Sequence, residues 1–309
     1  MSPATDPPTV GLVGAGTMAR EHLPHLRALG APVLAWSRSG VAGLGDVEAA
    51  GSFDELLARC QVIDVTTPTP THLDLGLAAL ASGRHVICEK PLARTDADAA
   101  ALVAAAEAAG RMLLPAHVVR YFPAYARAKA AVDSGALGRL RRLRFLRSGA
   151  HPVQPWFADE AQSGGVIFDL MIHDLDQARW LAGEVVRVEA VARHGAAGGR
   201  PTQAASVTLT HANGAVTHAE GVWGEQGVPF TTGFELEGER GALAHSSADD
   251  PPPETPPAKN AYFAQLRDFV SAITDATTPR VTARDGLAAV RLASAALEAA
   301  RTGRPVELE

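Results

Sequence analysis

Apolar and polar positions divide the chain into two unlike halves. In the first half, short apolar runs alternate with longer stretches of helical periodicity. The runs Thr9–Val13, Pro32–Trp36, Gln61–Val65, His85–Cys88 and Met112–Pro115 read as buried strands of a parallel sheet. Helices are expected over Thr17–Leu29, from Ser52 to Arg59, from His72 to Ser82 and over Thr95–Ala109, with Gly30, Gly83 and Gly110 as caps. Ser52-Phe53-Asp54-Glu55 is a capping box, and Pro24 is expected to kink the first helix. In the second half the pattern shortens to a period of two. Leu140–Ser148, Val185–His194, Ser206–Thr210, Ala215–Val222, Thr231–Glu237 and Ala242–Ala244 read as strands, the later ones antiparallel, with turns such as Asn213-Gly214. Two helices, Ala261–Thr274 and Ala283–Arg301, close the chain.

Chemistry gathers at the ends of the first-half strands, where open parallel sheets bind ligands. The first strand runs into Gly14-Ala15-Gly16-Thr17-Met18-Ala19, a G-x-G-x-x-A that opens a helix. Gly14 permits the tight turn, Gly16 lets a pyrophosphate approach the backbone, and Ala19 allows close helix–sheet packing. The helix N-terminus, with Thr17 and Met18, faces the phosphate charge. The second strand ends in Ser37-Arg38-Ser39, where an enzyme reading an unphosphorylated ribose would place Asp or Glu. The third ends in Thr66-Thr67-Pro68-Thr69-Pro70-Thr71-His72, whose hydroxyls and proline can line a dinucleotide. The fourth leads into Glu89-Lys90-Pro91, a carboxylate and an ammonium at a strand end, with Pro91 fixing the turn.

Three motifs together, Gly11-Leu12-Val13-Gly14-Ala15-Gly16, Thr67-Pro68 with His72, and His85-Val86-Ile87-Cys88-Glu89-Lys90-Pro91, resemble the glucose–fructose oxidoreductase / inositol dehydrogenase (Gfo/Idh/MocA) family. The resemblance covers about Thr9 to Val306. It implies a Rossmann domain binding NAD(P), with Lys90 beside the reacting carbon, Glu89 on the nicotinamide side, and a Lys90–Pro91 bond that in the family is often cis. Ala116 to Pro123 resembles the family's crossover into a second domain. There His117 and Arg120 fall at a strand end and either face the substrate or, for Arg120, form an Arg–carboxylate clamp between domains. The domains are expected at 1–120 (NAD(P)-binding Rossmann) and 121–309 (substrate-binding and oligomerisation, α+β with a large open, mainly antiparallel sheet), the C-terminal helices packing back on the first.

A second chemical stretch runs from Trp156 to Trp180. After the turn Ser163-Gly164-Gly165, a helix carries Asp169 and His173 at i and i+4, hence on one face. A carboxylate bonded to one imidazole nitrogen fixes the tautomer and raises the basicity of the other, which is general-base machinery. The pattern S-G-G-x-x-x-D-x-x-x-H-D-x-D resembles the family's catalytic helix, most of all its inositol dehydrogenase branch. No further His or Cys is spaced to complete a metal site with Asp169, His173 and Asp176, so none is expected.

Composition narrows the classes. The net charge is −6 and argues against nucleic acid. Arg139, Arg141, Arg142, Arg144 and Arg147 stud one strand at period two and are expected to be a solvated face or interface ion pairs. No apolar run reaches the ~18–20 residues of a membrane span, and the polar Met1–Pro8 does not read as a signal peptide. Cys60 and Cys88, the only cysteines, are expected to be buried thiols of a cytoplasmic protein.

The reading is an NAD(P)-dependent dehydrogenase acting on a secondary alcohol or ketone of a sugar, cyclitol or sugar derivative. The alternative is a non-catalytic dinucleotide-binding regulator on the same fold. Lys90, Asp169 and His173 are the catalytic candidates; His117, Arg120 and Trp156 join them around substrate. NADP(H) is expected to be preferred through Arg38 and Ser37, with NAD(H) also usable. No long run of helices is available to cover the second sheet, so a homodimer or homotetramer is expected.

Overall fold

The computed structural model describes residues 6–250 and 260–308. Ser246–Lys259, with five prolines, reads from its sequence as a surface loop; from 251 on it lies outside the described residues. Two compact units make up the chain: 1–122 with 254–287, and 123–253 with 288–309.

The first unit contains β1 (Val10–Val13), α1 (Thr17–Ala28), β2 (Val33–Trp36), β3 (Glu48–Ala49), α2 (Phe53–Arg59), β4 (Val62–Val65), α3 (His72–Ala81), β5 (His85–Glu89), α4 (Asp96–Ala109) and β6 (Leu113–Ala116). The strands form one all-parallel sheet in the order β3-β2-β1-β4-β5-β6. This is the strand order of dinucleotide-binding folds, and its switch point lies between β1 and β4. The central strands read as unbroken apolar runs because both faces are covered: Val10, Leu12, Ile63, Val65, Val86 and Ile87 are buried. Local signals set the helix ends. Ser52 Oγ accepts from Glu55 N at 3.1 Å and Thr95 Oγ1 from Asp98 N at 3.1 Å, while Gly110 closes α4 in the left-handed region. Pro24 does not end α1; its ring lies on the exposed side and only one helix bond is forfeited. The two-residue β3 had no apolar signature, since Glu48 and Ala49 are both exposed.

The second unit contains α5 (Pro123–Asp133), β7 (Leu140–Ala150), α6 (Pro155–Ala158), α7 (Glu160–Ser163), a π-helical turn (Val166–Leu170), α8 (Ile172–Ala182), β8 (Val185–Ala197), β9 (Arg200–His211), β10 (Val216–Gly224), β11 (Thr231–Gly238) and β12 (Ala242–Ser246). Of the last two helices, α9 (Ala261–Asp275) belongs to the first unit; α10 (Ala283–Thr302) begins in the first unit and ends in the second, followed by β13 (Val306–Glu307). The second sheet runs β12-β11-β7-β10-β9-β8-β13 and is antiparallel except where β7 pairs parallel with β10. β8 and β9 are longer than their apolar patterns suggest. They pair from Val185–His211 to Ala197–Arg200, with one register shift between Val185 and Arg187, around a turn in which Gly198 and Gly199 both take positive φ.

One face of this sheet is core: Leu143, Phe145, Val188, Val207, Leu209, Ala219 and Phe234 are buried, and α8 packs on β7 and β10. The other face is open in the monomer and carries an Arg/Glu lattice. Arg144 stands 4.0 Å from Glu220 and 3.7 Å from Glu235, Arg142 3.6 Å from Glu237, and Arg139 and Arg141 both meet Glu239. Arg147 departs from the expected solvated stripe. It points inward, is 3% exposed and bonds Asp174. The period-two pattern contained the reason: Arg147 shares the parity of the buried Leu143 and Phe145.

Candidate active site

In the first unit the site is built at the carboxyl ends of β1, β2, β4 and β5. Gly14 takes φ +116°, and a Cβ there would fall 2.9 Å from Thr66 Oγ1. Thr66 in turn donates its hydroxyl to Val13 O at 2.9 Å, tying the ends of β1 and β4 together. Gly16 is the N-cap of α1 and is solvent-exposed; a Cβ there would meet nothing within 4 Å. No side chain caps this helix and no acidic residue occupies its first turn. Uncapped N–H groups, a glycine surface with open space and no competing carboxylate fit the pyrophosphate of a dinucleotide. Thr17 is exposed and Met18 half-buried at the same end. At the end of β2, Ser37 Oγ lies 3.2 Å from Ser39 Oγ and Arg38 is exposed.

The turn after β4 is held from within. The Thr71 hydroxyl lies 2.7 Å from Thr67 Oγ1 and 2.8 Å from Pro68 O. His72 is 1% exposed, and its ring nitrogens stand 2.8 Å from Thr67 O and 2.9 Å from Pro91 O. Burial lowers its pKa despite the two carbonyls. Neutral, His72 has one N–H to donate to one of the two carbonyls and sits wedged between the β4 turn and the Lys90–Pro91 turn, a structural use that its expected place beside the dinucleotide did not include.

Lys90 sits half-buried at the end of β5, and the Lys90–Pro91 bond is cis. Glu89 Oε2 accepts the Lys90 main-chain N–H at 3.1 Å. Behind Glu89 lies a contact that sequence reading missed. His22 on α1 places Nε2 3.2 Å from Glu89 Oε1 and Nδ1 2.9 Å from Asp64 Oδ2. His22 and Asp64 are fully buried and Glu89 is 5% exposed. Burial alone would strip the imidazole of its proton, but the two carboxylates outweigh it and push the pKa of His22 up to about 10. Burial likewise works to raise Glu89, yet His22 and Lys90 bring it below the ordinary carboxylate range. The only signal in the sequence was an acid inside an apolar strand, Asp64 in Val62–Val65.

His117 is 1% exposed, and Arg120 is tied down. Arg120 donates to Arg280 O at 3.1 Å and stands 3.3 Å from Asp285, while Arg280 returns a bond to Arg120 O at 2.9 Å. Against the cost of burial, Arg120 and the bonds from Thr282 hold Asp285 down at about 2. The carboxylate that Arg120 meets, Asp285, belongs to the same compact unit.

In the second unit, Gly164 and Gly165 turn the chain with φ +75° and +64°, and Val166 N–H is received by Gln203 Oε1 at 2.8 Å. Val166–Leu170 is not a regular α-helix, as the expected i, i+4 geometry assumed, but a π turn closed by Met171 N to Val166 O at 2.9 Å. Such turns recur at functional sites because they re-aim side chains. Here Asp169, in the turn, and His173, in the first turn of α8, are half-buried, while Phe168, Leu170, Met171 and Ile172 are buried. α8 is anchored beneath by Asp174, which receives Arg147 Nε at 3.0 Å and Nη2 at 2.8 Å. Burial raises the Asp174 carboxyl, but a guanidinium does not give up its proton and both bonds require the carboxylate, so the pair is ionised. Trp156, on α6, is half-buried, its ring centroid 3.9 Å from that of Phe157.

Two family patterns match the chain: "Oxidoreductase family, NAD-binding Rossmann fold" over residues 9–117 and "GFO/IDH/MocA C-terminal domain" over 125–244. A 1,5-anhydro-D-fructose reductase of Ensifer adhaerens is 31% identical over 97% of this chain and 98% of its own length. The myo-inositol dehydrogenase Hyg17 of Streptomyces leeuwenhoekii is 32% identical over 96% of this chain and 98% of its own. Among solved structures, GenD2 from gentamicin A biosynthesis, in complex with NAD, superposes with a TM-score of 0.89 at 26% identity, covering 100% of this chain and 98% of that one. Levoglucosan dehydrogenase with NADH and levoglucosan shares the fold, at a TM-score of 0.84 and 23% identity over 97% of this chain and 99% of that one. With both family patterns in place and two relatives more than 30% identical over nearly the whole chain, the chain belongs to the Gfo/Idh/MocA family of NAD-binding oxidoreductases.

Proposed function

We propose that this oxidoreductase moves hydride between a nicotinamide cofactor and a secondary alcohol or ketone of a sugar, cyclitol or related polyol. The observation that carries the proposal is a half-buried lysine at the carboxyl end of β5, its backbone pinned by Glu89, on a sheet whose α1 N-terminus is open to a pyrophosphate. The bound nicotinamide supplies the hydride chemistry. Lys90 polarises the substrate oxygen as it becomes a carbonyl, and His173, oriented by Asp169, takes the hydroxyl proton. The half-buried positions of Asp169 and His173 among buried neighbours support these roles. Trp156 is assigned to the substrate, while the burial of His117 and the clamp on Arg120 give those two residues a supporting part.

Relatives named for inositol and 1,5-anhydro-D-fructose make polyols and anhydro sugars the first substrates to try. NADP(H) is preferred over NAD(H): the end of β2 offers Ser37 and the exposed Arg38 with no acid to repel a 2′-phosphate. The protein works as a homodimer or homotetramer whose partner covers the open face of the second sheet. The test is turnover of myo-inositol, 1,5-anhydro-D-fructose and levoglucosan with each cofactor, followed by absorbance of the reduced nicotinamide. Lys90→Ala and His173→Ala should each lower kcat by at least ~10² with little change in cofactor binding. Near-normal turnover in both variants would place the chemistry elsewhere.

A further inference from the structure

His22 has no place in the reaction as proposed, yet it is a fully buried titratable group one residue removed from Lys90. Its imidazole is wedged between two carboxylates, Asp64 on β4 at 2.9 Å and Glu89 on β5 at 3.2 Å. From the remaining side, α9 brings the Tyr262 ring to a centroid distance of 6.3 Å. A neutral imidazole has one N–H and would turn a lone pair toward one of these carboxylates; the imidazolium bonds Asp64 and sets its second N–H at ion-pair distance, 3.2 Å, from Glu89. Glu89 is shared. Its Oε1 faces His22 and its Oε2 accepts the main-chain N–H of Lys90.

We propose that His22 is a positioning residue for Lys90: the imidazolium holds the Glu89 carboxylate in the one orientation that also binds the Lys90 main-chain N–H, and so fixes where the lysine side chain leaves the strand. Asp64 keeps the ring charged and in plane. Net charge in this buried cluster is one negative, from two carboxylates and one imidazolium, and the Lys90 ammonium beside it completes the balance. The consequence for catalysis rests on the role of Lys90 proposed above, but the positioning itself can be read without turnover.

The sequence provides a clean probe, because the chain has three lysines, at 90, 129 and 259. Protein labelled with 15N at lysine alone gives one backbone amide signal for each, assigned with Lys129→Arg and Lys259→Arg. In His22→Asn the side-chain amide still reaches Asp64 but not Glu89. The Lys90 amide signal should then shift and its hydrogen exchange speed up about tenfold or more, with Lys129 and Lys259 unchanged, as a local opening requires. His22→Gln, which extends a donor toward Glu89, should restore most of the protection. Glu89→Gln, with a single oxygen to offer, should loosen the same amide while His22 stays in place. In the wild type, nitrogen shifts of the His22 ring should show both nitrogens protonated at about pH 8.

An unchanged Lys90 amide in His22→Asn overturns the proposal, and so does a singly protonated ring. If His22→Asn does not fold, an unchanged Lys90 amide in Glu89→Gln overturns it equally. Where a substrate is turned over, His22→Asn should lower kcat about 10- to 100-fold, the cost of a misplaced catalytic group, with KM for the cofactor within about twofold. Full activity in Lys90→Ala would defeat the reading of the site and leave the amide result standing; full activity in His22→Asn beside an inactive Lys90→Ala would defeat this inference alone.

Discussion

Replacing Asp174 by Asn removes the counter-ion of Arg147 without changing the shape of the side chain. Arg147 is 3% exposed and Asp174 fully buried, and two bonds of 3.0 and 2.8 Å join them. The guanidinium cannot shed its charge, so the variant leaves a cation in the core with one amide oxygen in place of a bidentate carboxylate. Breaking a buried pair from one side costs about 3–5 kcal/mol. Asn keeps one acceptor, which puts the expected loss near ~3 kcal/mol. At ~2–4 °C per kcal/mol for a unit of this size, the thermal midpoint of the second unit should fall by roughly 6–12 °C. Replacing both partners, Arg147→Met with Asp174→Leu, should recover most of that loss, because no uncompensated charge is then buried. The assay is thermal and urea unfolding followed by circular dichroism for the wild type, the single variant and the double variant. A single variant within ~2 °C of wild type, or a double variant worse than the single, would refute the claim that an ionised pair anchors α8 to β7.

Three further outcomes are expected. Gly16→Ala should unfold like the wild type, since its Cβ meets nothing within 4 Å and its φ of −82° suits alanine, yet raise the dissociation constant for the dinucleotide by at least ~10-fold, measured by titration of intrinsic fluorescence. Gly221→Ala should do the reverse and destabilise the second unit by about 1–3 kcal/mol in urea unfolding, because its Cβ would stand 2.3 Å from Met171 Cγ and press on the π turn that carries Asp169. His22 is held charged up to about 10 in the folded protein against 6.5 in the unfolded chain, so its stabilisation is complete below pH 6.5 and is lost as pH rises toward 10. The gap in thermal midpoint between wild type and His22→Asn should therefore narrow steadily across that window, and a gap that is constant or widens would contradict a charged His22.

What the sequence determined by itself was whatever depends on neighbours along the chain. The glycine turn Gly14-Ala15-Gly16, the caps at Ser52 and Gly110, and the apolar runs of the parallel strands are local, and each appears in the structure within a residue or two. The period-two pattern of the second half was equally legible, and with it the fold class. Tertiary structure decided what depends on partners far apart in sequence. Arg147 looked like one of five surface arginines until strand parity and Asp174, 27 residues on, put it in the core. The pairing of β7 with β10 is parallel because the chain passes through the π turn, α8, β8 and β9 before it returns to that edge. Asp169 and His173 were read on a regular helix; the π turn that carries Asp169 lies where Met171 and Val166 pack over Gly221 of the sheet, a contact that no local propensity contains. His22 and Asp64 stand 42 residues apart, one on a helix and one inside an apolar strand, and only the folding of α1 over the ends of β4 and β5 makes a buried carboxylate affordable by setting an imidazolium against it.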